Sequence, residues 1–133
     1  MSSEVTNINE HKVVLPTWLD TLIFNDLSAN YCRQNKDMVV LEWNFDDIKK
    51  YLGTYFPRSY AESFCIFSNF FSKEKYVYEN CQELSIFDFG CGTGGELIGF
   101  IIAVTKQLPN IKKITIRALD GNSYALKCLE CIL

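Results

Sequence analysis

The spacing of hydrophobic and polar residues changes about two thirds of the way along the chain. Before residue 80, apolar side chains recur every three or four positions, as at Leu19, Leu22 and Ile23, which predicts amphipathic helices. From Leu84 onward, short apolar runs alternate with glycine, proline and polar residues, a pattern typical of strands that alternate with helices. We therefore expect a flexible tail over residues 1–12, an aromatic-rich helical region over 13–80, and an α/β unit over 84–133.

The helical region begins with a helical pattern from Trp18 to Tyr31 and continues with two predicted helices separated at a proline. One covers residues 46–55, and a second begins at Pro57, where Ser59 and Glu62 have the spacing of a capping box. In that second helix four aromatic residues share one face, which we interpret as core. The apolar run over 38–43 is compatible with a strand or with the start of a helix. The aromatic residues are Tyr60, Phe64, Phe67 and Phe71.

The last fifty residues predict a βαβα sequence. Strands are expected over 84–89 and 113–119, and a helix over about 96–108 lies between them. A glycine-rich turn over 90–95 joins the first strand to that helix, and a further helix follows Asp120 and Gly121. Strands joined by a crossover helix pair in parallel, so the fold class is α/β, the start of a doubly wound sheet.

Composition and charge exclude several classes of protein. The 133 residues fit a single domain, and the net charge of −3 without a run of lysine or arginine argues against nucleic-acid binding by charge alone. No apolar run approaches the roughly 20 residues of a membrane span. Residues 1–12 are polar, which does not resemble a signal peptide. We expect a cytoplasmic protein.

The six cysteines are interpreted as reduced, buried thiols. Cys128 and Cys131 have C-x-x-C spacing, but no second pair lies nearby, and His11 is the one histidine of the chain. A structural zinc site needs four such ligands. We expect no metal site.

Asp88 to Gly95 is the stretch that carries most information about function. Gly90, Gly92 and Gly95 fit the G-x-G-x-x-G pattern of dinucleotide-binding turns. With Asp88 in front, Gly90, Gly92 and Gly94 also fit D-x-G-x-G-x-G. That second pattern resembles the first motif of class I S-adenosylmethionine-dependent methyltransferases, and the resemblance extends over residues 84–133.

Charge favours the second ligand. A dinucleotide places a pyrophosphate at the helix N-terminus, where Asp88 and Glu96 would repel it. S-adenosylmethionine carries an ammonium and a sulfonium, which suit an acidic strand end. Asp120 ends the next strand, so parallel pairing places it beside the glycine turn. Its carboxylate can accept hydrogen bonds from ribose hydroxyls, or it can cap the loop.

The resemblance implies a Rossmann-like fold, a methyltransferase activity and a set of residues that bind S-adenosylmethionine. Asp120 lies 26 positions after Gly94, which is a longer gap than is usual in the family. The residues do not identify a catalytic base or the methyl acceptor. The implied cofactor-binding residues are Asp88, Gly90, Cys91, Gly92, Thr93, Gly94, Asp120, Gly121 and Asn122.

The family's sheet has further strands beyond the two expected here, so one sheet edge should be left open. An open parallel edge invites pairing. The expected partners are therefore the small-molecule cofactor and either a completing polypeptide segment or a second copy of the chain. The alternatives are a half of a split enzyme, a non-enzymatic interaction module that keeps the methyltransferase-like topology, and a dinucleotide-binding domain.

Overall fold

The computed structural model describes residues 8–9, 12–33 and 44–133. The predicted tail and the apolar run over 38–43 lie largely or wholly outside these ranges. Within them, no helix has the length and apolar character required to cross a membrane. In chain order the elements are β1 (Ile8–Asn9), β2 (Lys12–Val13), α1 (Thr17–Thr21, continued by a π-helical turn over Leu22–Asp26), α2 (Phe45–Lys73), α3 (Lys75–Tyr78), β3 (Glu83–Phe89), α4 (Gly95–Gln107), β4 (Lys113–Leu119) and α5 (Ser123–Ile132).

Helix α2 runs without a break through Pro57, so the prediction of two helices separated there is wrong. An interior proline costs about 3 kcal/mol. Against this, α2 buries one side chain every fourth position on both sides of the proline, and full burial of each large apolar side chain stabilises by about 1.5–3 kcal/mol. The stripe therefore outweighs the proline. Its members are Ile48, Leu52, Phe56, Tyr60 and Phe64.

The N-terminal cap of α2 also differs from the prediction. Asn44 Oδ1 accepts a hydrogen bond from the Asp47 N–H at 3.0 Å, and Asp47 Oδ2 accepts one from the Asn44 N–H at 3.3 Å. These reciprocal bonds form the capping box. Glu62 instead forms an ion pair with Arg58, and Ser59 lies in the middle of the helix.

Strands β3 and β4 form a two-stranded parallel sheet, which confirms the predicted α/β character of this region. Glu83 is opposite Lys113 at one end and Phe89 is opposite Leu119 at the other. The carboxyl ends of both strands therefore meet at one edge, where the glycine turn and Asp120 follow them. This register brings the glycine turn and Asp120 together.

Helices α2 and α4 approach each other closely through two glycines of α4. A Cβ atom on Gly95 would lie 2.7 Å from the Phe56 carbonyl oxygen, and one on Gly99 would lie 2.5 Å from the Tyr60 carbonyl oxygen. The aromatic face of α2 packs here as core, as predicted: Phe64 is fully buried, and the rings of Phe67 and Phe100 meet edge to face at 4.6 Å.

The opposite face of the sheet is uncovered in the described residues. Side chains alternate between exposed and half-buried along both strands, and Phe87 and Phe89 are 63% and 81% exposed. Strands of parallel sheets usually have both faces covered. That face carries apolar residues toward its carboxyl end, at Phe87, Phe89 and Leu119, and polar or charged residues such as Lys113 and Arg117 along the rest of the two strands.

The thiols are less buried than predicted. Cys91 and Cys128 are buried, but Cys65 and Cys131 are exposed, and all six cysteines are free. Cys65 is exposed because it lies on the side of α2 away from the buried stripe, so an apolar helical context did not ensure burial.

We predict that Gly99→Ala destabilises the fold. Its methyl group would overlap the α2 backbone, which we expect to lower the free energy of unfolding by about 1–3 kcal/mol despite the better helix propensity of alanine. Urea unfolding measures this change. Gly121→Ala is the control, because a Cβ there meets nothing within 4 Å. A Gly99→Ala variant as stable as that control would contradict the close approach of α2 and α4.

Candidate functional site

The turn between β3 and α4 has a backbone that depends on glycine. Gly90, Gly92 and Gly94 have φ values of 78°, 53° and 89°, a region that other residues rarely adopt. A Cβ on Gly90 would meet nothing within 4 Å, whereas one on Gly94 would clash with Leu129 of α5. Gly94 is therefore required for packing of the turn against α5, whereas the space beside Gly90 is open and could admit a ligand.

The N–H groups of the turn are largely engaged within the protein. The Gly90 and Cys91 N–H groups donate to the Leu119 carbonyl oxygen at 2.7 and 3.1 Å. The Gly92 N–H donates to Asp120 Oδ2 at 2.8 Å. These hydrogen bonds hold the turn against the end of β4. The Asp120 carboxylate already accepts the Gly92 N–H that an anionic ligand would otherwise bind.

Asp120 connects the two loops of the site. Besides Gly92, its carboxylate accepts a hydrogen bond from the Asn122 N–H at 2.8 Å. Asn122 is buried, and its side-chain oxygen caps α5 by accepting from the Tyr124 and Ala125 N–H groups. The structure therefore gives Asp120 the loop-capping role and uses the Asn122 side chain as a helix cap.

Two hollows lie on either side of the turn. The first, here called the tyrosine cleft, has a volume of about 70 Å³ and lies between α2 and the turn. The second, the sheet-edge cavity, has a volume of about 280 Å³ and lies over the carboxyl ends of the strands. Tyr51, Tyr55, Phe56, Ser59, Gly90, Cys91, Thr93, Gly94, Gly95 and Glu96 line the tyrosine cleft, and Phe89, Gly90, Leu119, Asp120 and Gly121 line the sheet-edge cavity.

Asp88 lies apart from both hollows, on the side of β3 that faces the helices. It lines a third hollow of about 240 Å³ together with Ser63 and Glu96. Within the described part of the chain, no hydrogen bond or ion pair reaches its carboxylate. Glu96 also lines the tyrosine cleft, so it connects these two hollows.

Helix α2 contributes residues that the motif did not reveal. Tyr51, Tyr55 and Ser59 line the tyrosine cleft. They follow one another at four-residue spacing, one position before the buried stripe of Leu52, Phe56 and Tyr60. That spacing was visible in the sequence, but the expected break at Pro57 separated Ser59 from the two tyrosines.

Acidic groups dominate the electrostatics of the site. Burial and the Asp120 carboxylate raise the pKa of Asp88. Burial, Asp88 and Asp120 raise the pKa of the Cys91 thiol to about 11, so it stays protonated at neutral pH. Burial raises the pKa of Tyr51, and Asp120 and Glu96 add to the shift. Such a potential favours a positively charged ligand.

No family model, curated protein or solved structure matches this chain. The assignment of the site therefore depends on its own geometry. The β3–α4 turn, Asp120 and Gly121 are brought together as predicted. Asp88 contributes charge from behind the turn, and Thr93 is a buried residue of the turn itself.

We predict that Asp88→Asn stabilises the fold at neutral pH. Because the pKa of Asp88 is raised in the folded chain, its carboxylate opposes folding above that pKa, and the penalty vanishes below the ordinary aspartate pKa of 3.8. Urea unfolding should show a modestly higher free energy of unfolding for the variant than for the unaltered chain at about pH 7, and no difference at about pH 3. A loss of stability at pH 7 would mean that the carboxylate has a stabilising partner.

Proposed function

We propose that this chain is the cofactor-binding part of a class I S-adenosylmethionine-dependent methyltransferase, built on the start of a Rossmann-like sheet. The observation that carries the proposal is the Asp120 carboxylate on the amide of Gly92, 2.8 Å away. It joins the ends of two parallel strands into one acidic, glycine-lined site, at the sheet edge where ligands bind in such folds.

The charges support S-adenosylmethionine over a dinucleotide. A pyrophosphate needs free N–H groups on the turn, but Leu119 and Asp120 accept those of Gly90, Cys91 and Gly92. Asp88 and Glu96 add negative charge on the other side of the turn. This negative potential stabilises a bound ammonium or sulfonium, whereas it destabilises a bound pyrophosphate dianion.

The two hollows suit the two ends of such a ligand. The sheet-edge cavity combines the Phe89 ring and Leu119 with the Asp120 carboxylate, a set that fits a nucleoside with ribose hydroxyls. The tyrosine cleft and the acidic residues behind the turn fit the methionine end, which carries the sulfonium and the ammonium. When bound, S-adenosylmethionine supplies a methyl group from a positively charged sulfur and leaves as the neutral thioether S-adenosylhomocysteine.

The chain's own residues would bind and orient rather than exchange protons. Positioning accounts for much of the rate of such transfers, and a base is needed only when the acceptor must lose a proton. The Cys91 thiol is a poor base or nucleophile because its raised pKa keeps it protonated. The proposal therefore assigns no catalytic base and names no acceptor.

A second candidate function is a non-enzymatic binding module. The exposed sheet face favours it, because Phe87, Phe89 and Leu119 present large apolar side chains to solvent. Such a module would associate through this face with a completing segment or with another copy of itself. It would show a larger solution mass and no affinity for S-adenosylmethionine.

Calorimetric titration of the purified chain tests the proposal. We expect S-adenosylmethionine and S-adenosylhomocysteine to bind with Kd values on the order of micromolar, and NAD not to bind. Solution mass, measured on the same sample, identifies association. Binding of NAD alone would replace the proposal with a dinucleotide site, and a larger mass without ligand binding would favour the binding module.

We further predict that Asp88→Asn weakens the binding of S-adenosylmethionine by roughly threefold to tenfold, because it removes one of the carboxylates whose negative charge favours a positively charged ligand. Glu83→Gln is the matched control, because it removes a carboxylate from the far end of the same strand. Equal affinities in both variants would show that Asp88 does not act on the ligand.

A further inference from the structure

Tyr51 and Tyr55 form a stacked aromatic pair above the glycine turn. Their ring centroids are 4.9 Å apart with an interplanar angle of 27°. Both rings line the tyrosine cleft, and the Tyr51 hydroxyl oxygen lies 3.1 Å from the position that a Cβ on Gly92 would occupy. The pair is therefore a wall of the proposed ligand site and not only a part of the core.

The surroundings of this wall are acidic. Glu96 lines the same cleft, and Asp120 is bonded to the turn beneath it. Burial raises the pKa of the Tyr51 phenol most, and the Asp120 and Glu96 carboxylates raise it further. Aromatic faces attract cations because of the negative charge of the π-system, and aromatic cages bind quaternary ammonium ligands in this way. Rings and carboxylates together therefore favour a positively charged group.

We propose that Tyr51 and Tyr55 determine specificity for the positively charged sulfonium of the ligand over its neutral thioether product. The inference rests on the proposed function and adds to it a residue pair outside the glycine motif. S-adenosylmethionine and S-adenosylhomocysteine differ by one methyl group and one positive charge. A wall that responds to this charge holds the methyl donor more tightly and releases the spent product.

The test compares the affinities of these two ligands in aromatic and aliphatic variants. Tyr51→Leu and Tyr55→Leu remove one ring each, and Tyr51→Phe keeps the ring without the hydroxyl. We expect each leucine variant to bind S-adenosylmethionine about threefold to tenfold more weakly relative to S-adenosylhomocysteine. Tyr51→Phe should keep the original ratio. Tyr76→Leu, at an exposed tyrosine of α3, is the control.

The ratio separates recognition of charge from a merely structural role. If both leucine variants lose affinity for the two ligands equally, or lose none, the inference is overturned and the proposed function stands. If the unaltered chain binds neither ligand, the proposed function fails and the inference fails with it. Circular dichroism shows whether each variant folds. If Tyr51→Leu does not fold, the ratio of the two affinities is taken from Tyr55→Leu instead.

Discussion

The close approach of α2 to α4 is the contact on which the rest of the structure depends. Gly95 and Gly99 have no side chain where the carbonyl oxygens of Phe56 and Tyr60 pass, so the two helices meet backbone to backbone. This contact fixes α2 on both sides of Pro57 and places its first half above the glycine turn. Without it, neither the tyrosine cleft nor the cover over one face of the sheet would form.

The site is organised by negative charge held at close range. Asp120 accepts backbone hydrogen bonds from two loops. The carboxylate that holds these loops together therefore also gives the site its negative charge. Asp88 is kept half-buried without a stabilising partner in the described residues, which costs stability but strengthens the potential behind the turn. Sites that use charge for binding commonly retain such unfavourable groups.

Local patterns predicted the α/β unit well and the helical region less well. The bounds of β4 agree with the prediction, β3 begins one residue earlier, and the glycine turn lies where expected. These elements are defined by short-range signals. The continuity of α2 depends on long-range packing that outweighs Pro57, and the capping role of Asp120 depends on the register of two strands, so neither followed from local sequence.

The measurement that tests this account most directly is a map of backbone amide chemical shifts during titration with S-adenosylmethionine. We predict that the largest changes cluster at Gly90, Gly92, Asp120 and Gly121 and extend to Tyr51 on α2. Changes confined to Phe87, Thr115 and Arg117 on the open sheet face, or no changes at all, would contradict the claim that the acidic glycine turn is the ligand site.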